Sequence, residues 1–254
     1  MRLWIRLLVI AVHVVLIIII VGPCRHPGCR LTRKQDTGKV APGKATDAPT
    51  LPQAVSGGKL PVPSRDGATK GSELPPYSPA FFTRRNSSSG PPLKAAVADC
   101  RTGVVVDWRR RTILWGKEES KGVPIASLTK MMTILLLMEA LHDGSGLTLD
   151  TKVAVTRESA SVGGRQVWLD PRESFSLQDL LRCMLIHSAN DAAYLVGQKV
   201  AGSEKDFVAR MNQRATALGL RTLVFHNDHG LPEGAARDEN VGSALDLAYL
   251  AGRL

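Results

Sequence analysis

Three regimes of apolar patterning divide the chain. Residues 1–22 carry an apolar run from Leu7 to Val21, interrupted by His13, behind Arg2 and Arg6. That run is short for a bilayer-spanning helix and of the length expected for the centre of an export signal. No small-x-small cleavage pattern follows it, so residues 1–22 are expected to be a signal peptide or an uncleaved signal anchor. Residues 23–95 show no sustained periodicity and hold twelve of the fifteen prolines. Such a segment buries too little apolar surface to offset its ordering entropy, which predicts a disordered Pro/Gly/Ser-rich basic linker. Within it, Phe81-Phe82 reads as a stray apolar pair. Periodic order begins near Ala96.

Residues 96–254 alternate between the two hydrophobic periods. Gly103–Asp107 and Thr112–Trp115 are β-branched runs, and residues 108–111 between them predict a hairpin connection. From Ser127 to Leu141 a Met- and Leu-rich stretch predicts a buried helix, ended by Asp143-Gly144. Three further helices are announced by Ser176-x-x-Asp179, Ser203-x-x-Asp206 and Ser243-x-x-Asp246. Each places a capping hydroxyl three residues before a carboxylate at the head of an apolar run. Leu180–Ile186 is the apolar helix that precedes Ser188, and Cys183 within it is expected to pack as a small hydrophobe.

Charge changes the picture only by its location. The net charge is +10, yet residues 23–95 contain twelve Lys/Arg against four Asp/Glu, and Arg2 and Arg6 supply the rest of the surplus. Residues 96–254 are therefore net neutral, the reverse of a basic nucleic-acid-binding domain, and no nucleic-acid partner is expected. The basic linker suits a solvated spacer near anionic lipid or wall polymer. Cys24, His26 and Cys29 make an incomplete metal set, so neither metal nor cofactor is expected; Cys24 and Cys29 could also pair as a disulfide outside the cell.

The candidate chemistry starts at Ser127-Leu128-Thr129-Lys130. A spacing of three on a helix places hydroxyl and amine on one face. A desolvated amine there can lose its proton and take one from the serine, and the positive helix end favours charge on that oxygen. An isolated Ser-x-x-Lys is usually a cap beside a surface lysine. Here Ser188-Ala189-Asn190 follows 61 residues after Ser127. A second hydroxyl can relay a proton to a leaving amine, and a carboxamide can hold both lysine and substrate amide. A Ser127, His229, Asp246 triad can be drawn on paper, but no Gly-x-Ser-x-Gly elbow supports it. His229 reads as a loop residue beside Gly230, and His187 as a helix-end residue.

Taken in order, these pieces resemble the serine D-alanyl-D-alanine carboxypeptidases, the low-molecular-mass penicillin-binding proteins of the peptidase S11 family, from about residue 103 onward. Ala126–Thr133 is close to the nucleophile signature of that family, and Ser188–Ala193 matches its second motif. Val104–Asp107, Ile113–Trp115, Gly163-Gly164, Leu169–Glu173, Phe207–Asn212, Leu218-Gly219 and His229–Leu231 continue the likeness. Arg172 stands where the family usually has glycine. The third element, Lys-Thr/Ser-Gly, does not occur in the sequence, so the resemblance implies a chain truncated before it.

The resemblance implies an α+β fold of the β-lactamase/transpeptidase kind, incomplete at its C-terminal end, with residues 96–254 as the front of the catalytic domain. It implies that Ser127 attacks the D-Ala-D-Ala bond of peptidoglycan stem peptides, with Lys130 as general base, Ser188 as proton relay and Asn190 as substrate-binding group. β-Lactams are implied as acylating inhibitors. The protein is expected to be exported, to the outer face of the cytoplasmic membrane or the periplasm, and held to the membrane through its N-terminal segment. The rival expectations are an endopeptidase or β-lactamase on the same scaffold, and a non-catalytic remnant.

Overall fold

The computed structural model describes residues 16–21, 74–84, 100–232 and 238–254. The hairpin expected at the start of the domain is present as β3 (Thr102–Asp107) and β4 (Thr112–Lys117), paired antiparallel with a bulge between Val105 and Val106. Its free edge is covered by β1 (Leu16–Val21), antiparallel to β3, and its other edge by the short β2 (Thr83–Arg84), parallel to β4. Within the expected leader, therefore, the Ile-rich stretch pairs as a strand; β-branched residues suit that role, and the β3 edge offers unpaired backbone groups. The rest of residues 1–22 lies outside the described residues, and no described helix is long and apolar enough to cross a membrane.

The boundary of the expected linker needs correction. Residues 74–84 pack onto the domain, and Phe81 and Phe82 are core residues, each only 6% exposed. Their rings lie edge-on 4.9 Å apart, and Phe81 meets Tyr249 at 4.9 Å and Trp108 at 5.6 Å. Backbone hydrogen bonds from Tyr77 to the Leu218 carbonyl (2.7 Å) and from Thr83 to that of Arg111 (2.8 Å) pin the strap at both ends. Composition marks this stretch as linker because its few aromatics are spaced without period; the groove that receives them is built by distant residues. The remaining linker residues, with Cys24 and Cys29, lie outside the described residues.

The central helix, α1 (Lys130–Ala140), is apolar almost all round and is buried accordingly. Met132, Leu135 and Leu136 face the cluster formed by the hairpin, the strap, α5 (Glu204–Ala217) and α6 (Ala244–Ala251). Leu137 faces a second cluster formed by α3 (Leu177–Arg182), α4 (Asn190–Ala201) and the antiparallel pair β6 (Lys152–Ala154) and β7 (Ser174–Ser176). A short helix, α2 (Arg157–Ser161), is capped by Thr156. Ser176, Ser203 and Ser243 all cap as expected, accepting from the backbone N–H groups of Asp179, Asp206 and Asp246 at 3.1, 3.0 and 3.2 Å. Cys183 is partly buried against the second cluster.

Candidate active site

The expected helix from Ser127 to Leu141 begins differently from a regular α-helix. β5 (Val123–Pro124), paired with β8 (Val241–Gly242), leads into a 3-10 turn, Ala126–Thr129, and only then into α1. In a 3-10 turn residues three apart eclipse, so Ser127 and Lys130 stand one above the other. Ala126 enters the turn at a positive φ of 45°, and the Thr129 hydroxyl donates to its carbonyl at 2.7 Å. The result is an exposed Ser127 over a Lys130 that is only 3% exposed.

Lys130 is held by three oxygens. Its Nζ donates to Asn190 Oδ1 and to the His229 carbonyl at 2.7 Å each, and lies 3.4 Å from Ser127 Oγ. Burial lowers its pKa to about 8, opposed by the charges of Asp228 and Asp191 and assisted by Arg165. Removal from water disfavours the ammonium, which leaves an amine able to accept a proton near neutral pH. Both strong contacts also accept from the neutral amine, so the group keeps its place when it loses the proton.

Asn190 begins α4, and its side chain is fixed from both ends. Oδ1 takes the lysine, and Nδ2 donates to the Gly163 carbonyl at 2.9 Å. The Asn190 backbone N–H donates to the Arg165 carbonyl at 2.7 Å. The adjacent Asp191 is fully buried and accepts from the N–H groups of Val167, Leu169 and Ala192 at 2.9–3.2 Å. One dipeptide thus ties the Gly163–Leu169 loop to the lysine. Gly164 is required there: its φ is +76°, and a Cβ would sit 2.8 Å from Asn190 Nδ2.

Ser188 closes the preceding helix. After α3 the chain continues as a π-turn, Cys183–His187, in place of the single regular helix expected through Ile186. Ser188 is left-handed, with φ 57° and ψ 36°, which reverses the chain into Ala189 and Asn190. Its hydroxyl makes no hydrogen bond to Ser127 or Lys130 among the described residues. The structure therefore puts Lys130 in contact with both Ser127 and Asn190, and leaves Ser188 two residues from Asn190 in sequence.

Sequence reasoning missed the part played by His229, which acts through its backbone. Its carbonyl holds Lys130, while its ring is fully buried, with Nδ1 accepting from Leu231 N–H at 3.1 Å and Nε2 3.9 Å from Glu204 Oε1. Burial, with Lys130 nearby, drives its pKa down to about 4, so the imidazole is neutral. Asp246 instead accepts from the Thr222 N–H and hydroxyl, which excludes the paper triad. The 226–231 loop is braced by Asn240, whose Nδ2 donates to Thr129 Oγ1 at 2.9 Å and whose Oδ1 accepts from His226 N–H at 2.6 Å. Gly230 allows close passage, since a Cβ on it would lie 2.0 Å from the Ala126 carbonyl. The His229-Gly230 pair was visible as a turn signal, but no local signal marks a carbonyl as a ligand. Among the described residues one trio, Glu204, Asp228 and His229, brings potential metal-ligand atoms within 4.8 Å of one another; Ser127 and Lys130 are not part of it.

Known proteins resemble this chain in sequence and in fold. Residues 89–254 match the family profile of the D-alanyl-D-alanine carboxypeptidases, peptidase S11. The chain is 32% identical over 178 residues to the D-alanyl-D-alanine carboxypeptidase DacF of Bacillus subtilis, covering 70% of this chain and 44% of that protein. It is 30% identical over 149 residues to a D-alanyl-D-alanine endopeptidase of Haemophilus influenzae, covering 58% and 48% respectively. The chain thus spans less than half the length of these relatives. Among solved structures, the D-alanyl-D-alanine carboxypeptidase DacD of Francisella tularensis superposes with a TM-score of 0.57 at 31% identity, over 61% of this chain and 36% of that one. Penicillin-binding protein D2 of Listeria monocytogenes, in its ampicillin-bound form, gives 0.52 at 29% identity over 60% of each chain. The expected α+β architecture of the β-lactamase/transpeptidase kind is the one these structures share with this chain.

Proposed function

Because the chain belongs to the D-alanyl-D-alanine carboxypeptidase family, peptidase S11, we propose that it supplies the acylating centre of a serine-type D-Ala-D-Ala carboxypeptidase. The observation that carries this reading is the exposed Ser127 hydroxyl above a buried Lys130 whose pKa is lowered to about 8. Lys130 Nζ takes the Ser127 proton as Oγ bonds to the carbonyl carbon of the penultimate D-alanine of a stem peptide. Collapse of the tetrahedral adduct breaks the C–N bond, and the leaving amine takes a proton from Ser188, which recovers one from Lys130. Water then attacks the ester, releasing the shortened peptide and restoring Ser127. Asn190 orients the lysine and, in this reading, binds the substrate amide. Ser188 joins this relay only when substrate spans the gap, since catalytic hydrogen bonds tighten in the complex. No step calls for a metal or cofactor.

Stem peptides are the substrates under this reading, and β-lactams acylate Ser127 as their strained carbonyl mimics; the ampicillin-bound Listeria relative supports the latter. The Haemophilus relative's name favours one second reading, endopeptidase cleavage at the same serine. The site of action is the outer face of the cytoplasmic membrane or the periplasm, with residues 1–22 as leader or anchor, a role that excludes the pairing of Leu16–Val21 with β3 while it lasts, and the basic segment after it as spacer. The full chain should take up fluorescent penicillin in a one-to-one ratio, lose it in Ser127→Ala, and release D-alanine from a pentapeptide. A full chain that folds but is never labelled would overturn the proposal in favour of a non-catalytic binder. Cleavage of cross-linked dimers to monomers without release of free D-alanine from a pentapeptide would support the endopeptidase.

A further inference from the structure

The Gly163–Leu169 loop presents one charged side chain that the acylation chemistry does not use, Arg165. Its main chain belongs to the site, because its carbonyl accepts from Asn190 N–H at 2.7 Å. Asn190 in turn contacts Lys130 Nζ at 2.7 Å, so the arginine Cα is one residue removed from the catalytic lysine. The loop is held firmly around it. Gly163 is tied down by Asn190 Nδ2 at 2.9 Å, and Val167 and Leu169 by the Asp191 carboxylate at 3.1–3.2 Å. The side chain itself is exposed. Among the described residues no carboxylate lies within ion-pairing distance of its guanidinium. The next arginine along the chain is different: Arg172 pairs with Asp170, which takes it out of use.

A guanidinium with no carboxylate partner among the described residues, on a loop hydrogen-bonded to the Asn190 that holds Lys130, is suited to meet an anion. Its charge already reaches Lys130, where it works against Asp228 and Asp191. Those two carboxylates are buried, Asp191 being occupied by loop amides, so neither competes for the guanidinium from solvent. A planar fork of donors matches a carboxylate in two-point contact, and a D-alanyl-D-alanine peptide offers carboxylates of its own.

We infer that Arg165 is a specificity-determining residue that binds a carboxylate of the peptide substrate at the mouth of the Ser127 cleft. The inference rests on the proposed peptidase reading for the nature of the substrate. The carboxylate has two possible sources, the C-terminus of the leaving D-alanine and an acidic side chain on the residue that precedes the two D-alanines. The guanidinium recognises the same group in either case.

Equilibrium binding to the full-length Ser127→Ala chain, which cannot turn over, tests this directly. The probes are Nα-acetyl-lysyl-D-alanyl-D-alanine peptides whose lysine carries a succinyl or the neutral succinamoyl group, each with a free or an amidated C-terminus. Binding of one acid form should weaken about fivefold in Arg165→Gln relative to its amide partner, recover partly in Arg165→Lys, and lose its salt dependence. Discrimination lost for the succinyl pair assigns the side chain of the residue before the two D-alanines, and discrimination lost for the C-terminal pair assigns the leaving D-alanine. Equal affinity changes for acid and amide forms in both pairs would overturn the inference. Penicillin labelling of the chain with Ser127 intact separates the two claims. Absent labelling sinks the peptidase reading, whereas the acid-to-amide ratios decide Arg165 independently of it.

Discussion

If Lys130 is the base that activates Ser127, acylation must follow the neutral fraction of that one amine. With a pKa of about 8, roughly one lysine in ten is neutral at pH 7. At the ordinary lysine value near 10.5 the fraction would be about one in three thousand, so burial raises the supply of base about 300-fold. The charged and polar groups around the amine are Asp228, Asp191, Arg165, Asn190 Oδ1, the His229 carbonyl and Ser127 Oγ, and desolvation outweighs the two carboxylates. Labelling of the full chain by fluorescent penicillin should therefore rise about tenfold per pH unit below pH 8 and level off above it. A lysine whose folded pKa lies below its unfolded value destabilises the fold wherever it must be charged. That cost is about 3 kcal/mol below pH 8 and disappears as the pH rises from 8 toward 10.5. The amine can be titrated without turnover by following the Lys130 ¹³Cε resonance in Ser127→Ala. A midpoint at 10 or above, or labelling that is flat between pH 6 and 9, would refute the reasoning.

Two structural predictions can be checked alongside. Phe81→Ala removes a ring packed at 4.9 Å against both Phe82 and Tyr249 and should cost about 3–5 kcal/mol in denaturant unfolding; a loss below about 1 kcal/mol would mean that the strap is not part of the core. Gly230→Ala places a methyl 2.0 Å from the Ala126 carbonyl at a φ of +84°, and should cost about 1–3 kcal/mol and slow penicillin labelling at least tenfold by displacing the nucleophile turn; unchanged labelling would count against that coupling.

The legible parts of the fold were the local ones. The hairpin and the three serine caps could be read because β-branching, turn residues and a hydroxyl three residues before a carboxylate act within a few residues. The nucleophile turn was half legible. A spacing of three put Ser127 beside Lys130, but the 3-10 geometry, with Ala126 at positive φ, depends on Gly230 passing close by. The strap is not legible, because aromatic residues without period resemble linker until the surface that receives them is known. The helix leading to Ser188 was read as regular, since its apolar run carries no mark of the π-turn that sets Ser188 left-handed.

For the site, the residue types and their order were determined by sequence alone: a serine and a lysine one turn apart, then a serine and an asparagine on a later segment, followed by a histidine-glycine turn. Only the tertiary structure decided what surrounds the amine. Lys130 has a lowered pKa because α1 is apolar on both faces and is enclosed by two clusters drawn from the whole domain. Its second strong acceptor is the backbone carbonyl of His229, 99 residues away, and a carbonyl is chemically the same at every residue. Side chains advertise their chemistry in the sequence. Burial and backbone ligands exist only once the chain has closed around them.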